Sequence, residues 1–130
     1  MAELLHEELT GSILKVFYAV YNELGFGFLE KVYQNSMMIA LRKAGLKAEA
    51  QKKIDVHFQG EIVGEYFADI VVNDLVILEL KAADALIEEH ENQLINYLKA
   101  TKMEVGLLLN FGSKPEMKRK LFTNDKKKLI

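Results

Sequence analysis

The chain of 130 residues contains no cysteine and only one proline, Pro115. The lack of cysteine excludes disulfide bonds, thiolate metal sites and cysteine nucleophiles, so a bound metal would need carboxylate, carbonyl, imidazole or water ligands. Hard cations that prefer oxygen are therefore the expected metals. Internal repeats and low-complexity linkers are also missing. A chain of this length buries one hydrophobic core, and we expect a single domain over residues 1–130.

Long hydrophobic runs are absent as well. No apolar stretch approaches the roughly 20 residues that a membrane-spanning helix needs. The N-terminus, Met-Ala-Glu-Leu-Leu-His-Glu-Glu, lacks the basic and apolar regions of a signal peptide. We therefore expect a cytoplasmic protein with no membrane partner.

Positive charge is scarce except near the C-terminus. Residues 1–113 carry 10 basic and 17 acidic side chains, whereas residues 114–130 carry 7 basic and 2 acidic ones. The acidic part argues against nonspecific nucleic-acid binding by the whole surface. The basic C-terminal segment 114–130 would either contact phosphates or form a solvated, lysine-rich tail, and its composition leaves both interpretations open.

Apolar periodicity predicts two helices followed by a sheet. Residues 9–24 and 29–41 have helical spacing, and we expect Leu29 and Val32 in the core. After Lys47 the period changes to two, which is typical of strands. The later predicted elements are strands at 54–58, 62–72 and 75–81, a helix at 82–100, a buried strand at 105–111 and a short strand or helix around 118–122. This order predicts an α/β (α+β) fold with a mixed sheet flanked by helices.

Three charged residues interrupt otherwise apolar strands: Asp69, Glu79 and Lys81. Each needs a partner or an ion, because desolvating an isolated charge costs several kcal/mol. Glu79 and Lys81 are two residues apart and therefore share a face of their strand. Asp69 joins them only if the turn at Asn73-Asp74 has an odd number of residues or a bulge, since a two-residue turn places it opposite Leu78.

Two carboxylates and an ammonium on adjacent strands suit phosphodiester hydrolysis. The carboxylates would hold Mg²⁺ or Mn²⁺, and the lysine would orient or deprotonate the attacking water. A buried ion pair of Glu79 and Lys81, with Asp69 at the end of a strand, is the structural alternative. Spacing alone does not decide between the two.

The next predicted helix carries a polar stripe formed by His90, Gln93 and Tyr97, which are spaced by three and four residues. An imidazole, an amide and a phenol in one row would face the metal site and position a substrate. The alternative places Tyr97 in the core, with Gln93 and His90 at its rim.

These motifs resemble those of the PD-(D/E)xK nuclease superfamily. Asp69, nine residues and then Glu79-Leu80-Lys81 is similar to its catalytic signature, and Gln93-Leu-Ile-Asn-Tyr97 is similar to the Gln-x-x-x-Tyr motif of its RecB-like exonuclease branch. More closely, five segments in order resemble the GxxExxY family of small bacterial and archaeal proteins, over a span from about Leu9 to Phe122. The segments are GFLEKVY, GEYFADIVV, ILELKA, HENQLINYLKAT and GLLLNFG.

The resemblance implies a restriction-endonuclease-like core of order α-β-β-β-α-β, and it implies roles for individual residues. Asp69 and Glu79 would be metal ligands, together with the carbonyl of Leu80. Lys81 would be the catalytic lysine. Glu30 matches an acidic residue that many members place on the helix before the sheet, where it would reach the metal directly or through water.

Further residues are expected around the implied metal site. Gln93 and Tyr97 would support the substrate or the metal, with His90 beside them. Tyr33 lies three residues after Glu30, and we expect it to be the hydrogen-bonding neighbour of that carboxylate. Tyr21 departs from the family pattern, which often has histidine there, and this affects the substrate side of the site rather than the metal ligands.

Two hypotheses follow. The first is a nuclease that depends on Mg²⁺ or Mn²⁺ and acts on DNA, with RNA less favoured. The second is a binding or assembly module that has the nuclease fold without turnover, which the acidic charge of residues 1–113 favours. Dimerisation would enlarge the surface with which a small nuclease binds its substrate. Residues 37–39 or 105–109 would supply the interface of a homodimer, although core is the more common use of such apolar segments.

Overall fold

The structure is a computed structural model that describes residues 4–130. Residues 1–3, which belong to the predicted domain and to the N-terminal stretch without signal-peptide features, lie outside the described residues. None of the helices in the described part is both long and apolar enough to cross a lipid bilayer. The elements in chain order are α1 (Glu7–Leu24), α2 (Glu30–Lys43), β1 (Ala48–Phe58), β2 (Glu61–Val72), β3 (Val76–Lys81), α3 (Glu88–Lys99), β4 (Val105–Phe111), β5 (Pro115–Leu121) and a 3-10 turn (Asn124–Lys126).

The five strands form one mixed sheet in the order β1-β2-β3-β4-β5. Neighbouring strands are antiparallel except β3 and β4, which are parallel and are connected through α3. A parallel pair needs such a crossover, whereas the antiparallel pairs are joined by short turns. The predicted α/β architecture, a mixed sheet flanked by helices, is confirmed.

Helices cover both faces of the sheet. On one face, Ile13 and Phe17 of α1 pack with Met37 of α2. On the other face, Leu94 and Leu98 of α3 form a second buried cluster with strand residues. The two central strands, β3 and β4, are buried on both sides, which explains their continuous apolar sequences.

The orientation of α2 differs from the prediction. Leu29 and Val32 are 80% and 37% exposed, so their expected place in the core is wrong. The buried stripe instead contains Tyr33, Met37 and Leu41, which are spaced by four residues. Because residues at that spacing lie on one helical face, burying this larger stripe turns Leu29 and Val32 towards solvent.

The two segments proposed for a dimer interface are used mainly inside the protein. Met37 and Met38 are buried, as are all residues of 105–109, whereas Ile39 is exposed. Core was the more common use expected for both segments. These residues therefore offer little surface for a second copy of the chain.

The hairpin of β1 and β2 changes direction at its middle. Ala50 pairs with Ile70 and Lys52 with Ala68, but Gln51 between them has a left-handed backbone with φ of 52°. Ala48 packs under α1 and α2, whereas Ile54, six residues later, packs under α3. Regular alternation would place both on one face, so the irregularity at Gln51 redirects the outer part of the hairpin. We call this outer part, residues 52–68, the hairpin arm.

Candidate active site

Asp69 and Glu79 lie where β2 and β3 separate. Regular pairing of these strands ends at Ile70 and Leu78. Beyond that point the backbone N–H of Asp69 donates to Glu79 Oε2 at 2.8 Å, and the N–H of Leu80 donates to Asp69 Oδ2 at 2.8 Å. Each carboxylate therefore takes the place of a backbone carbonyl as acceptor. The two acids are held side by side by reciprocal hydrogen bonds.

A three-residue turn sets this arrangement. Val72 pairs with Val76, so residues 73–75 form the connection, and continuing the register places Asp69 opposite Glu79. This is the odd number of turn residues that the functional hypothesis requires. The turn is anchored from outside, because the N–H of Lys47 donates to Asn73 Oδ1 at 2.8 Å.

Burial makes this pair of acids electrostatically unfavourable. Glu79 is only 4% exposed, and burial followed by the nearby charge of Asp69 raises the pKa of Glu79 to about 8. Burial also raises the pKa of Asp69, against the opposing effects of the Leu80 N–H and the charge of Lys81. Two adjacent ionised carboxylates at this depth repel each other, so their full ionisation calls for a nearby cation.

Lys81 and Glu30 lie close enough to influence these acids. Lys81 is half-buried at the end of β3, and its positive charge lowers the pKa of both Asp69 and Glu79. Glu30 is the exposed first residue of α2, and its negative charge raises the pKa of Glu79. The sheet and α2 thus place the other three charged residues within electrostatic reach of Glu79.

Tyr33 has a different partner from the one expected. Its side chain is fully buried and stacks on Phe111, with the ring centroids 4.1 Å apart. The hydroxyl donates to the carbonyl of Gly25 at 2.8 Å and accepts the N–H of Phe28 at 3.2 Å. A phenol has one hydrogen to donate, so the expected hydrogen bond to the carboxylate of Glu30 is not formed. Tyr33 instead fixes the α1–α2 connection from which Glu30 projects.

Tyr97, the last residue of the polar stripe of α3, is only 6% exposed and packs in the second buried cluster. Gln93 Nε2 donates to the hydroxyl of Tyr97 at 2.9 Å, a contact that their spacing of four residues on one helical stripe allows. Burial, and next the charge of Glu79, raises the pKa of Tyr97, so its hydroxyl lies within the field of the acidic pair. His90 Nδ1 accepts the N–H of Ile87 at 3.2 Å and thereby stabilises the start of α3.

Gln51 and Gln34 are site residues that the sequence patterns did not reveal. Gln51 Nε2 donates to Gln34 Oε1 at 2.7 Å and lies 3.5 Å from Asp69 Oδ1, which places an amide between α2 and the carboxylate. One signal was present, because Gln34 is a polar residue on the same helical face as Met37 and Leu41. The left-handed backbone that aims Gln51 at Asp69 had no comparable signal.

Asn110 is a second residue that sequence reasoning missed. It is fully buried and lies opposite Lys81 on the neighbouring strand. Its side chain accepts the N–H of Ala83 and donates to the carbonyl of Ala83, both at 3.0 Å. This clamp holds residues 82–87 as a loop, so α3 begins at Glu88 rather than at residue 82 as predicted. A polar residue inside an apolar strand was the available signal.

Gly112 allows the same loop to approach closely, and we predict that Gly112→Ala lowers the free energy of unfolding by roughly 1–3 kcal/mol. A Cβ at this position would lie 2.6 Å from the backbone carbonyl oxygen of Ala83. Since backbone cannot move as easily as a flexible side chain, the loop must shift. Urea unfolding followed by circular dichroism measures the effect.

Gly11→Ala is the matched control, because a Cβ at Gly11 on α1 has no neighbour within 4 Å. There we expect a neutral or stabilising change, since alanine favours helix by up to about 1 kcal/mol over glycine. Equal effects of the two substitutions would contradict the close-approach argument.

The donor set of the site fits a hard divalent cation. In the part of the chain that the structure describes, no three His, Asp or Glu side chains cluster closely enough to hold a metal ion by themselves. Asp69 and Glu79 nevertheless supply adjacent carboxylates, and the carbonyl of Leu80 belongs to the residue whose N–H donates to Asp69. Such oxygen donors, completed by water, are the ligands that Mg²⁺ and Mn²⁺ prefer. A cation there would also offset the repulsion that raises the pKa of Glu79.

Comparison with known proteins identifies a family and a similar fold. The sequence profile of a family described as the PD-(D/E)XK nuclease superfamily matches residues 7–120. A solved structure titled "Crystal structure of SSO0001" is similar in fold, with a TM-score of 0.60 at 16% sequence identity over 74% of this chain. The chain spans about half of that protein, since the match covers 51% of it. No curated protein matches in sequence.

Proposed function

This chain belongs to the PD-(D/E)XK nuclease superfamily, and we propose that it is a divalent-metal-dependent nuclease that hydrolyses phosphodiester bonds, with DNA favoured over RNA as substrate. The observation that carries the proposal is the pairing of the buried carboxylate of Glu79 with the half-buried carboxylate of Asp69 between separated strands. Burial that raises the pKa of Glu79 to about 8 lowers the stability of the native state, and a purely structural role for the pair does not explain this cost. Perturbed acids of this kind are typical of functional sites.

Asp69 and Glu79 would hold the metal together with the carbonyl of Leu80, and Glu30 would reach it directly or through water. A bound Mg²⁺ or Mn²⁺ would lower the pKa of a coordinated water and neutralise negative charge on the phosphate. The reciprocal backbone bonds of the two acids leave one oxygen of each carboxylate for this purpose. The chain thus orients its ligands before any ion binds.

Lys81 would stabilise charge and position water. Its ammonium lies on the same strand as Glu79, two residues further, and its positive charge reaches both acids. A phosphodiester under attack by water gains negative charge on its oxygens, and a fixed cation at this place stabilises that charge. Lys81 would also orient the attacking water or accept its proton.

Gln93 and Tyr97 would bind the substrate strand beside the acids. Their mutual hydrogen bond fixes the phenol, and the pKa of Tyr97 responds to the charge of Glu79. The finer resemblance to the Gln-x-x-x-Tyr branch and to the GxxExxY family supports this role. His90 would contribute from the same stripe, although its Nδ1 is engaged by the backbone of α3.

A non-catalytic nuclease-fold module is the second candidate. It is favoured by the charge distribution, since residues 1–113 have 17 acidic and only 10 basic side chains. An acidic surface weakens binding to phosphate backbones. Such a module would retain the nuclease fold, with or without the metal site, but would not cleave nucleic acid.

Cleavage and metal binding, measured side by side, separate the two candidates. Labelled single- and double-stranded DNA and RNA are incubated with the purified protein and Mn²⁺, with EDTA as the control. We expect Mn²⁺-dependent cleavage, and calorimetric titration should show Mn²⁺ binding that Asp69→Asn removes. Mn²⁺ binding without cleavage of any substrate would favour the module, whereas equal Mn²⁺ binding by Asp69→Asn would overturn the assignment of the site.

A further inference from the structure

An open cleft of about 700 Å³ lies between the hairpin arm and α3. It exists because the irregularity at Gln51 directs the arm towards α3, where Ile54 and Ala68 pack. The arm also extends past the pairing of β2 with β3, which involves only residues 70–72 of β2. Known pockets for small molecules have volumes of about 300–1,000 Å³, so the cleft is large enough for a ligand group.

The two walls of the cleft differ in chemistry. The arm contributes apolar and aromatic surface from Val56, Val63 and Tyr66. The facing helix contributes the amides of Asn92, Gln93 and Asn96. A planar ring with polar edges matches both walls, because aromatic side chains stack on its face and amides both donate and accept hydrogen bonds at its edge.

The charge of the cleft disfavours a phosphate as occupant. Its acidic and basic lining residues are Glu89, His90 and Lys99, so an acidic side chain offsets the lysine. Phosphate sites instead gather several cations or backbone N–H groups. A neutral, planar heterocycle such as a nucleobase therefore fits better than an anion.

Tyr97 connects this cleft to the acidic pair. Its ring lines the cleft and lies 5.6 Å from the ring of Tyr66, centroid to centroid. Its hydroxyl is held by Gln93 and is within the field of Glu79 and Asp69. Ile77, which shares its face of β3 with Glu79, packs in the same buried cluster as Tyr97, so a base bound in the cleft would place its own strand on the side of the sheet that carries Glu79.

We propose that this cleft binds one unpaired nucleobase of the strand that is cut, with the ring stacked on Tyr66 and its polar edge facing Gln93 and Asn96. In a duplex both faces of a base are stacked and its pairing edge is occupied, so the base must be unpaired to enter. The inference rests on the proposed nuclease function and adds to it a substrate class. The preferred substrate is single-stranded or has a frayed end.

Binding of defined oligonucleotides tests the cleft without turnover. Fluorescently labelled oligothymidylate, an abasic strand of the same length and a duplex are titrated into the full-length protein in EDTA, and anisotropy is recorded. We expect oligothymidylate to bind roughly tenfold to a hundredfold more tightly than the abasic strand, as stacking of one base implies. The duplex should bind no better than the abasic strand.

Variants at the two walls assign this preference to the cleft. Tyr66 is 48% exposed, so Tyr66→Ala should fold, and it should remove the preference for bases while leaving affinity for the abasic strand unchanged. Tyr66→Phe should retain the preference. Asn96→Ala, on the exposed amide wall, should weaken it. Tyr18→Ala on α1, which removes a tyrosine that is 40% exposed, is the matched control and should have no effect.

Failure of the cleft and failure of the nuclease function give different results. Equal binding of oligothymidylate and abasic strand, absence of binding by both, or an unchanged preference in Tyr66→Ala would each overturn the cleft proposal, even if Mn²⁺-dependent cleavage occurs. Base-dependent binding that Tyr66→Ala removes would support the cleft even if no substrate is cleaved. In that case the proposed hydrolysis alone would fail.

Discussion

Glu79→Gln is expected to stabilise the protein at pH 9 by roughly 3–5 kcal/mol in the absence of metal, and to change little at pH 4. The reason is the pKa of Glu79, which is raised from an ordinary value of 4.5 to about 8 by burial and by Asp69. Glutamine keeps an oxygen to accept the Asp69 N–H but carries no charge. The substitution thus removes the cost of ionising a buried acid.

The direction of the effect follows from proton linkage. Between pH 4.5 and about 8 the folded protein retains a proton on Glu79 that the unfolded chain has lost, so the native state binds more protons. The free energy of unfolding therefore falls as the pH rises through this window. The full contribution of protonated Glu79 is present only below the window. The raised pKa of Asp69 acts in the same direction.

Urea unfolding at pH 4, 6 and 9 in EDTA measures this difference, with Glu23→Gln as control because Glu23 is an exposed residue of α1. A stability difference between Glu79→Gln and wild type that does not change with pH would contradict the prediction. Adding Mn²⁺ at pH 9 should stabilise the wild type and leave Glu79→Gln unchanged, since an ion that binds only the native state shifts unfolding by mass action.

Lys81→Met is expected to reduce cleavage by roughly 10²- to 10⁴-fold, which is the range associated with loss of a positioned acid–base group. Methionine retains the apolar stem of the half-buried side chain and removes the charge next to Asp69 and Glu79. The acids stay in place through their own backbone bonds. Mn²⁺ binding should therefore persist while the chemical step is lost.

Single-turnover rates on the substrate cleaved best, combined with calorimetry of Mn²⁺, separate these effects. Lys102→Met, at an exposed lysine after α3, is the matched control and should cleave at the wild-type rate. Wild-type rates for Lys81→Met would show that the ammonium takes no part in the reaction. Loss of both rate and Mn²⁺ binding would indicate a disturbed site rather than a missing catalytic group.

Charged residues in apolar strands were the most informative feature of the sequence. Placing Asp69 and Glu79 together required an odd turn, and the three-residue connection after Val72 confirms it. The succession of helices and strands was predictable for a related reason, because burial on one or both faces imposes a period on the chain. Spacing on a single helix likewise placed Gln93 next to Tyr97.

Contacts between distant segments and the backbone were not predictable. The partners of Tyr33 are a carbonyl and an N–H of a loop, and the Asn110 clamp acts on Ala83 across the sheet. Such groups occur in every residue, so no sequence pattern distinguishes them. Gln51 adopts a left-handed backbone that glutamine seldom has, because its neighbours hold it there. These contacts also determine the positions of the loop at residues 82–87 and of the hairpin arm.

The turn after β2 makes the candidate site sensitive to the insertion or deletion of single residues. Asn73 and Asp74 have left-handed backbones, and Asp74 forms ion pairs with Lys47, which precedes β1, and with Lys52 of β1. Gain or loss of one codon here would reverse the faces of every residue of β3 relative to Asp69, although no functional residue would be altered. A change of side chain at Leu75 would leave the register intact. Substitution at Leu75 should therefore be tolerated, whereas insertion or deletion of a residue in this turn should not.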